Sequence, residues 1–357
     1  MFYQDVSSGS HGKSRVGTVS GNTITISSTV STYNAGSTED TQAVFNPDQG
    51  VFLVIYKDNA NSTRPTGVVG TISGTSISFG SETTLDTNST SYPAITYNTT
   101  TSSYVMVYNK SSITQQTYYQ MPTTSGTTVT AGTPTLMTLN GSTTSQVKYT
   151  TLSSDNVSNT VFLVFANEYD SNHAHAIAAT ISGSTLTFGT EVEFSANTTY
   201  GIGAVYDTDA KKLVVSYADT SQYGVVVAAS VSGTTLTFGS PTTFRSALTG
   251  NLVNVYDSSH KRVFTSYAEN NTGYAGAVVY AAESTNASSF IGITGQAISD
   301  TATGNVDMLG GINSQQTSLV IGSKYYVQDN GTLGTTVTST FAGQAISATT
   351  LNIRDLT

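Results

Sequence analysis

The stretch "TISGTSISFGS", Thr71 to Ser81, holds no histidine, no cysteine, no base and no acid, yet the chain keeps rewriting it. "TVSGNTITISS" starts at Thr18, "TISGSTLTFGT" at Thr180, "SVSGTTLTFGS" at Ser230, and a looser version, "TTSGTTVTAGT", at Thr123. Its glycine falls at Gly21, Gly74, Gly126, Gly183 and Gly233, in steps of 50 to 57 residues. Each version reads as a hairpin around a Ser-Gly-x turn. Glycine supplies the positive φ that a tight turn needs to match strand twist. The alternation in "SISFG" and "TLTFG" predicts a half-exposed outer strand with Ile77 and Phe79 facing inward.

Two further landmarks keep the same period. An aromatic closes an apolar run at Tyr3, Tyr56, Tyr108, Phe165, Tyr217 and Tyr267. Eleven residues before it stands a second aromatic, Phe45, Tyr97, Tyr206 or Tyr256, followed by Asn or Asp. In the copy around Phe165 the matching aromatic reads as Tyr149, sixteen residues earlier, which places a five-residue insertion in "TTLSSDNVSN", Thr150 to Asn159. Independent landmarks on one period mark a structural repeat.

Each repeat then offers four strands. The first ends at an aromatic and an Asn or Asp suited to a turn. The second, such as "VFLVIYKD", is apolar throughout and expects burial on both faces. The third is "GVVGTIS" or "HAIAATIS", and the fourth completes the hairpin. Four strands in about 50 residues is the period of a β-propeller blade. The expected fold is all-β, a β-propeller-like array of about six four-stranded blades over residues 1–289. A small β-rich module follows over 290–357, where "GQAIS" occurs at Gly295 and Gly343 and "YYVQDNGTLG" reads as strand, Asn-Gly turn and strand.

Composition narrows the partners. Only 10% of the 357 residues are charged, against 37% hydrophobic, and 21 Tyr and 13 Phe favour strands over disorder. A net charge of -9 with no basic run argues against nucleic acid. No apolar run is long enough to cross a membrane as a helix, so no membrane insertion is expected. The N-terminal "MFYQDVSSGSHGK" lacks the pattern of a secretory leader. The absence of cysteine excludes disulfides and thiolate metal sites.

The "VGTVSG" and "ISFGS" repeats, followed by "GQAIS", "GSKYYVQDNGTL" and "AGQAIS", together resemble structural proteins of tailed bacteriophages, especially marine ones. The resemblance covers nearly the whole chain. It implies a virion component on the tail or capsid exterior, a fibre or appendage used for host attachment. The partners it implies are other virion proteins and a host surface glycan or protein, and a homo-oligomer is compatible with it. A head-decoration or spacer role and a glycan depolymerase are the alternatives.

No residue pattern points to catalysis. Glycoside cleavage needs flanking carboxylates or a Tyr nucleophile with an acid partner, whereas the acids here recur at turns, as scaffold residues do. There is no Trp, and Arg is scarce. No enzyme activity and no cofactor are expected. His173 and His175 lie two apart and share a strand face, but no third ligand is tied to them by motif. They are expected to face solvent without a metal. Asp207, Asp209 and Asp48 read as turn caps rather than calcium ligands. The residues two beyond the second-strand aromatic, Asp5, Asp58, Lys110, Asn167, Asp219 and Glu269, are expected to bond the following turn. Ligand contacts are expected where the repeat breaks, at Asn156 in the insertion and at Tyr169, Asp170, His173 and His175.

Overall fold

The computed structural model describes residues 1–20, 23–111, 116–139, 141–143, 146–270, 274–280, 292–294, 305–308, 310–328, 332–336 and 340–354. Gly21, the first "GQAIS" and the Asn330–Gly331 turn lie outside the described residues. The chain divides into two compact units, Met1–Tyr280 and Ala281–Thr357.

The first unit is a series of antiparallel sheets with no α-helix among the described residues. The apolar second strands number its copies: Phe2–Asp5, Val51–Asp58, Ser103–Lys110, Thr160–Asn167, Lys212–Ala218 and Arg262–Glu269. In copies two to five each second strand sits between a first and a third strand, as in Thr160–Asn167 between Val147–Ser154 and His173–Ser182. Ser31–Asn46 runs unbroken from copy one into copy two, pairing with His11–Ser14 and then with Val51–Asp58. The first strands of successive copies pack side by side.

Burial explains the sequence pattern. Thr160–Asn167 is buried along its whole length, because both faces of its sheet meet a neighbour. Tyr56, Tyr108, Phe162 and Phe165 are fully buried. Cutting one such ring back to Ala costs about 3–5 kcal/mol. Phe162, Val164, Tyr206, Val215 and Tyr217 form one core between copies four and five. Copy six is less covered: Val253, Val255, Phe264 and Val279 are exposed.

The hairpin reads as expected and gains a second part. Gly74, Gly126, Gly183 and Gly233 all hold φ near 60° (60, 58, 59 and 58°). Ile77 is buried, and Phe79 packs at the edge of the core shared by Tyr33, Tyr56 and Val68. The fourth strand, however, breaks at the glycine after its Phe. Ser76–Phe79 pairs with the end of the third strand, and Thr83–Thr84 returns to pair nearer its start. The break recurs in copies four and five, where Val192–Ser195 and Thr242–Arg245 return. A Cβ on Gly80 would lie 1.9 Å from the Thr127 carbonyl oxygen, and one on Gly189 would lie 2.5 Å from that of Thr234. Each of these glycines lets the next copy's hairpin turn rest directly on the backbone.

Pairing corrects the register of copy four. Phe45 faces Phe52, Tyr97 faces Tyr104, Tyr206 faces Leu213 and Tyr256 faces Val263. The residue in that place in copy four is Ser154, facing Val161, and not Tyr149. The turn after it matches the others in length, so no insertion falls in Thr150–Asn159. The extra residues come earlier, between Gly126 and Val147, where Leu139 and Ser142 form an isolated bridge. Tyr149 instead marks a bulge. Asp40, Tyr92, Tyr149, Gly201 and Asn251 hold the same place in five first strands, all at φ between 48 and 59°, and the pairing register shifts beside each.

The second unit holds a sheet ordered Ile312–Asn313, Leu351–Asn352, Phe341–Ala345, Lys324–Val327 and Leu333–Gly334. Its core comprises Leu319, Tyr325, Val327, Ala342, Leu351 and Ile353.

Candidate functional site

The turns that end the first strands are closed by their own Asn or Asp. Asn46 Oδ1 accepts from the Asp48 amide at 2.9 Å, Asp207 Oδ1 from the Asp209 amide at 3.0 Å, and Asp257 Oδ1 from the Ser259 amide at 2.9 Å. The same holds after the second strands. Asp5, Asp58, Asn167 and Asp219 each accept from a backbone amide two residues on, at 2.9 to 3.1 Å. Lys110 and Glu269 bridge to Asp86 at 2.9 Å and to Arg245 at 3.0 Å, and the turns that follow them lie in part outside the described residues.

Once its turn is capped by Asn46, the Asp48 side chain is left to reach the next copy. Its Oδ2 accepts from the Tyr97 hydroxyl at 2.5 Å and from the Ser102 hydroxyl at 2.7 Å. These bonds, Tyr97 first, hold the Asp48 carboxyl below its usual pKa. Burial, reinforced by Asp48, pushes the Tyr97 phenol up to about 12. Gln49 grips the same neighbour further out: its Nε2 donates to the Thr124 carbonyl at 3.0 Å, and its Oε1 accepts from the Thr124 hydroxyl at 2.9 Å.

These contacts frame a cleft of about 400 Å³. Its floor is the tilted pair Tyr97 and Tyr104, with ring centroids 4.7 Å apart. Asp48, Gln49, Ser102 and Thr124 form a polar rim, and Gly183 and Ser184, the hairpin turn of copy four, complete the wall. Among the described residues Asp48 is the only carboxylate lining it. An aromatic base under converging hydroxyl, amide and carboxylate groups suits a polar ligand with hydrophobic faces. A second hollow, about 320 Å³, gathers the bulge residues Asp40, Tyr92, Tyr149, Gly201 and Asn251.

The residues expected at breaks in the repeat divide. Asn156 lies in the ordinary turn of copy four and serves the joint with copy three, its Oδ1 accepting from the Thr99 amide at 3.2 Å. Tyr169 is exposed on the short 3-10 turn Glu168–Asp170. Asp170, His173 and His175 do come together. His173 faces solvent in part, but His175 does not: it is 3% exposed and stacks on Phe165, with 15° between the ring planes. His175 Nε2 lies 3.0 Å from Asp170 Oδ2, and its Nδ1 lies 2.9 Å from Glu191 Oε1. Burial opposes a charge on the His175 ring, yet the two carboxylates outweigh it and raise its pKa above the usual value. Glu191 and Glu193 were not foreseen, because they arrive through the returning strand Val192–Ser195. The sequence signal was present in "GTEVEF", whose two acids share a strand face.

No family model and no curated protein matches the sequence. Similar solved structures exist. One is a protein of unknown function from Dyadobacter fermentans, at TM-score 0.53 and 10% identity, covering 70% of this chain and 80% of that one. Another is AofleA from Arthrobotrys oligospora, at 0.48 and 8%, covering 76% of each. A third is an exo-beta-1,3-galactanase from Phanerochaete chrysosporium, at 0.43 and 12%, covering 68% of this chain and 59% of that one. At such identities the likeness is one of fold, and the fold is all-β and β-propeller-like.

Proposed function

We propose that this chain is a non-enzymatic recognition protein on the exterior of a phage particle, and that the cleft between copies two and three binds glycan-like ligands of the host surface. The observation that carries recognition is the cleft itself, with its tyrosine floor and its rim of Asp48, Gln49, Ser102 and Thr124. The virion setting rests on the resemblance of the repeats and of the "GSKYYVQDNGTL" module to phage structural proteins. Against a hydrolase stand two features: among the described residues no second acid lines the cleft beside Asp48, and Tyr97, the one tyrosine with an acid partner there, has its phenol held protonated with a pKa pushed up to about 12.

The test uses the purified full chain, intact host cells and their extracted surface polysaccharide. Saturable binding that Gln49→Ala weakens, without release of reducing ends, is the expected result. Turnover of the polysaccharide would establish a depolymerase. A chain that neither binds cells nor blocks infection would be a spacer or decoration protein. Immunogold localisation on particles tests the virion setting separately.

A further inference from the structure

We propose that Asp170, His173 and Glu193 form a binding site for one first-row divalent ion of the zinc class. The donors come from three places. Asp170 ends the 3-10 turn Glu168–Asp170, His173 opens the third strand of copy four, and Glu193 lies on the returning strand Val192–Ser195. His173 Nδ1 is 3.1 Å from Glu193 Oε1 and 3.5 Å from Asp170 Oδ1. One donor atom from each residue lies within 4.8 Å of the others. Metal bonds of about 2.0–2.2 Å put neighbouring donors roughly 3.0–3.5 Å apart on one ion. Two of the three edges therefore already have that length, and a small side-chain rotation closes the third.

The surroundings fit a metal site. The three donor side chains are 24 to 40% exposed, which admits an ion and leaves positions for water or a ligand. Behind them, His175 holds the other oxygen of Asp170, and Glu191 holds the far nitrogen of His175. Outer partners of this kind fix ligating carboxylates in place. One imidazole with two carboxylates favours zinc, nickel or cobalt over calcium, which takes six to eight oxygens.

Copy two shows what the scaffold alone requires at this corner. Strand pairing places Asn61, Arg64 and Thr84 where copy four has Asp170, His173 and Glu193. There two edges are hydrogen bonds, Asn61 Nδ2 donating to Thr84 Oγ1 at 2.9 Å and Arg64 donating to Asn61 Oδ1 at 3.4 Å. The fold needs no ion at that corner. Copy four substitutes two acids and an imidazole, whose Nδ1 lies between the two carboxylates, a donor set that one cation would join.

The experiment is calorimetric titration of the full chain, stripped with chelator, with Zn²⁺ and separately with Co²⁺. One ion per chain is expected, with visible d–d bands for Co²⁺. His173→Ala and Glu193→Gln should each weaken binding at least tenfold while leaving the far-UV spectrum and the melting temperature in chelator unchanged. His260→Ala, at an exposed His–Asp pair elsewhere, should leave binding intact. No saturable binding by the wild-type chain, or binding unchanged in a folded His173→Ala, Glu193→Gln double variant, overturns the proposal.

Discussion

The joint between copies two and three and the joint between copies five and six are built on one plan with different side chains. In both, the third residue of the first-strand turn reaches the aromatic of the next copy: Asp48 takes the Tyr97 hydroxyl, and Asp209 takes that of Tyr256. In both, a second group arrives from the αL residue ending the next turn. It is Ser102 at the first joint, 2.7 Å from Asp48, and Lys261 at the second, 3.2 Å from Asp209. A third element is reversed in sign. Asp86 pairs with Lys110 at the first joint, and Arg245 with Glu269 occupies the same two places at the second. The plan therefore specifies a bond and a charge pair, not which side carries which charge. Only at the first joint does the acid face an open cleft without a cation on it.

The largest expected difference concerns the charge pair. Asp86 and Lys110 are nearly buried, with side chains 3 and 10% exposed, whereas Arg245 and Glu269 are 20 and 21% exposed. Lys110→Ala leaves a buried carboxylate unpaired and should destabilise by about 3 kcal/mol. Glu269→Ala should cost under about 1 kcal/mol. Denaturant titration of both variants checks this, and equal losses would break the comparison. Burial pushes the Asp86 pKa up, but the Tyr108 hydroxyl and Lys110 together outweigh it and leave it lowered. The stability it contributes is thus complete above an ordinary carboxyl pKa of about 4 and is lost as pH falls through the lower folded value.

Next comes the hairpin contact. Gly80→Ala drives a methyl into the Thr127 carbonyl and should cost about 2–3 kcal/mol. At Gly239 the nearest described atom is 3.6 Å away, so the same change there should stay within about 0.5 kcal/mol. Thermal melts of the two variants read the difference directly.

Ser102→Lys converts the first joint towards the second. Lys211 and Lys261 already adopt φ of 53° at that place, so the backbone accepts the substitution. Ligand binding in the cleft should fall at least tenfold with the melting temperature unchanged. Unaltered binding would move the recognition surface elsewhere.

The smallest effect is at alkaline pH. Because the folded Tyr97 pKa is raised to about 12, the unfolded chain ionises first, and stability declines between about pH 10 and that value. Tyr97→Phe should make this slope shallower in pH-dependent melts.

Much of this architecture was legible because its landmarks are periodic in one dimension. The turn glycines and the second-strand aromatics needed no knowledge of pairing. Copy four was misread because an aromatic was sought where Ser154 stands, and Tyr149 supplied a false match. Only strand register separates a bulge residue from a strand-end residue. The cleft was half visible: Asp48 and Tyr97 were each noticed, but their bond joins residues of different copies. His173 and His175 lacked a third ligand in sequence because Glu193 lies 20 positions on. It is brought back only by the break of the fourth strand at its glycine.

The bed that Gly80 and Gly189 offer to the following turn meets a carbonyl first, that of Thr127 or Thr234, with the same threonine's Cβ beside it. Such a coupling depends on the glycine and the threonine that meet there. Copies joined this way act like links of a chain, each held by its nearest neighbours, and stability should accumulate link by link. Rims and outer faces are then free to diverge, and a copy could be duplicated, lost or exchanged for another without retuning the rest. At Gly80 and Gly189 the residue that tolerates no drift is the one with no side chain at all.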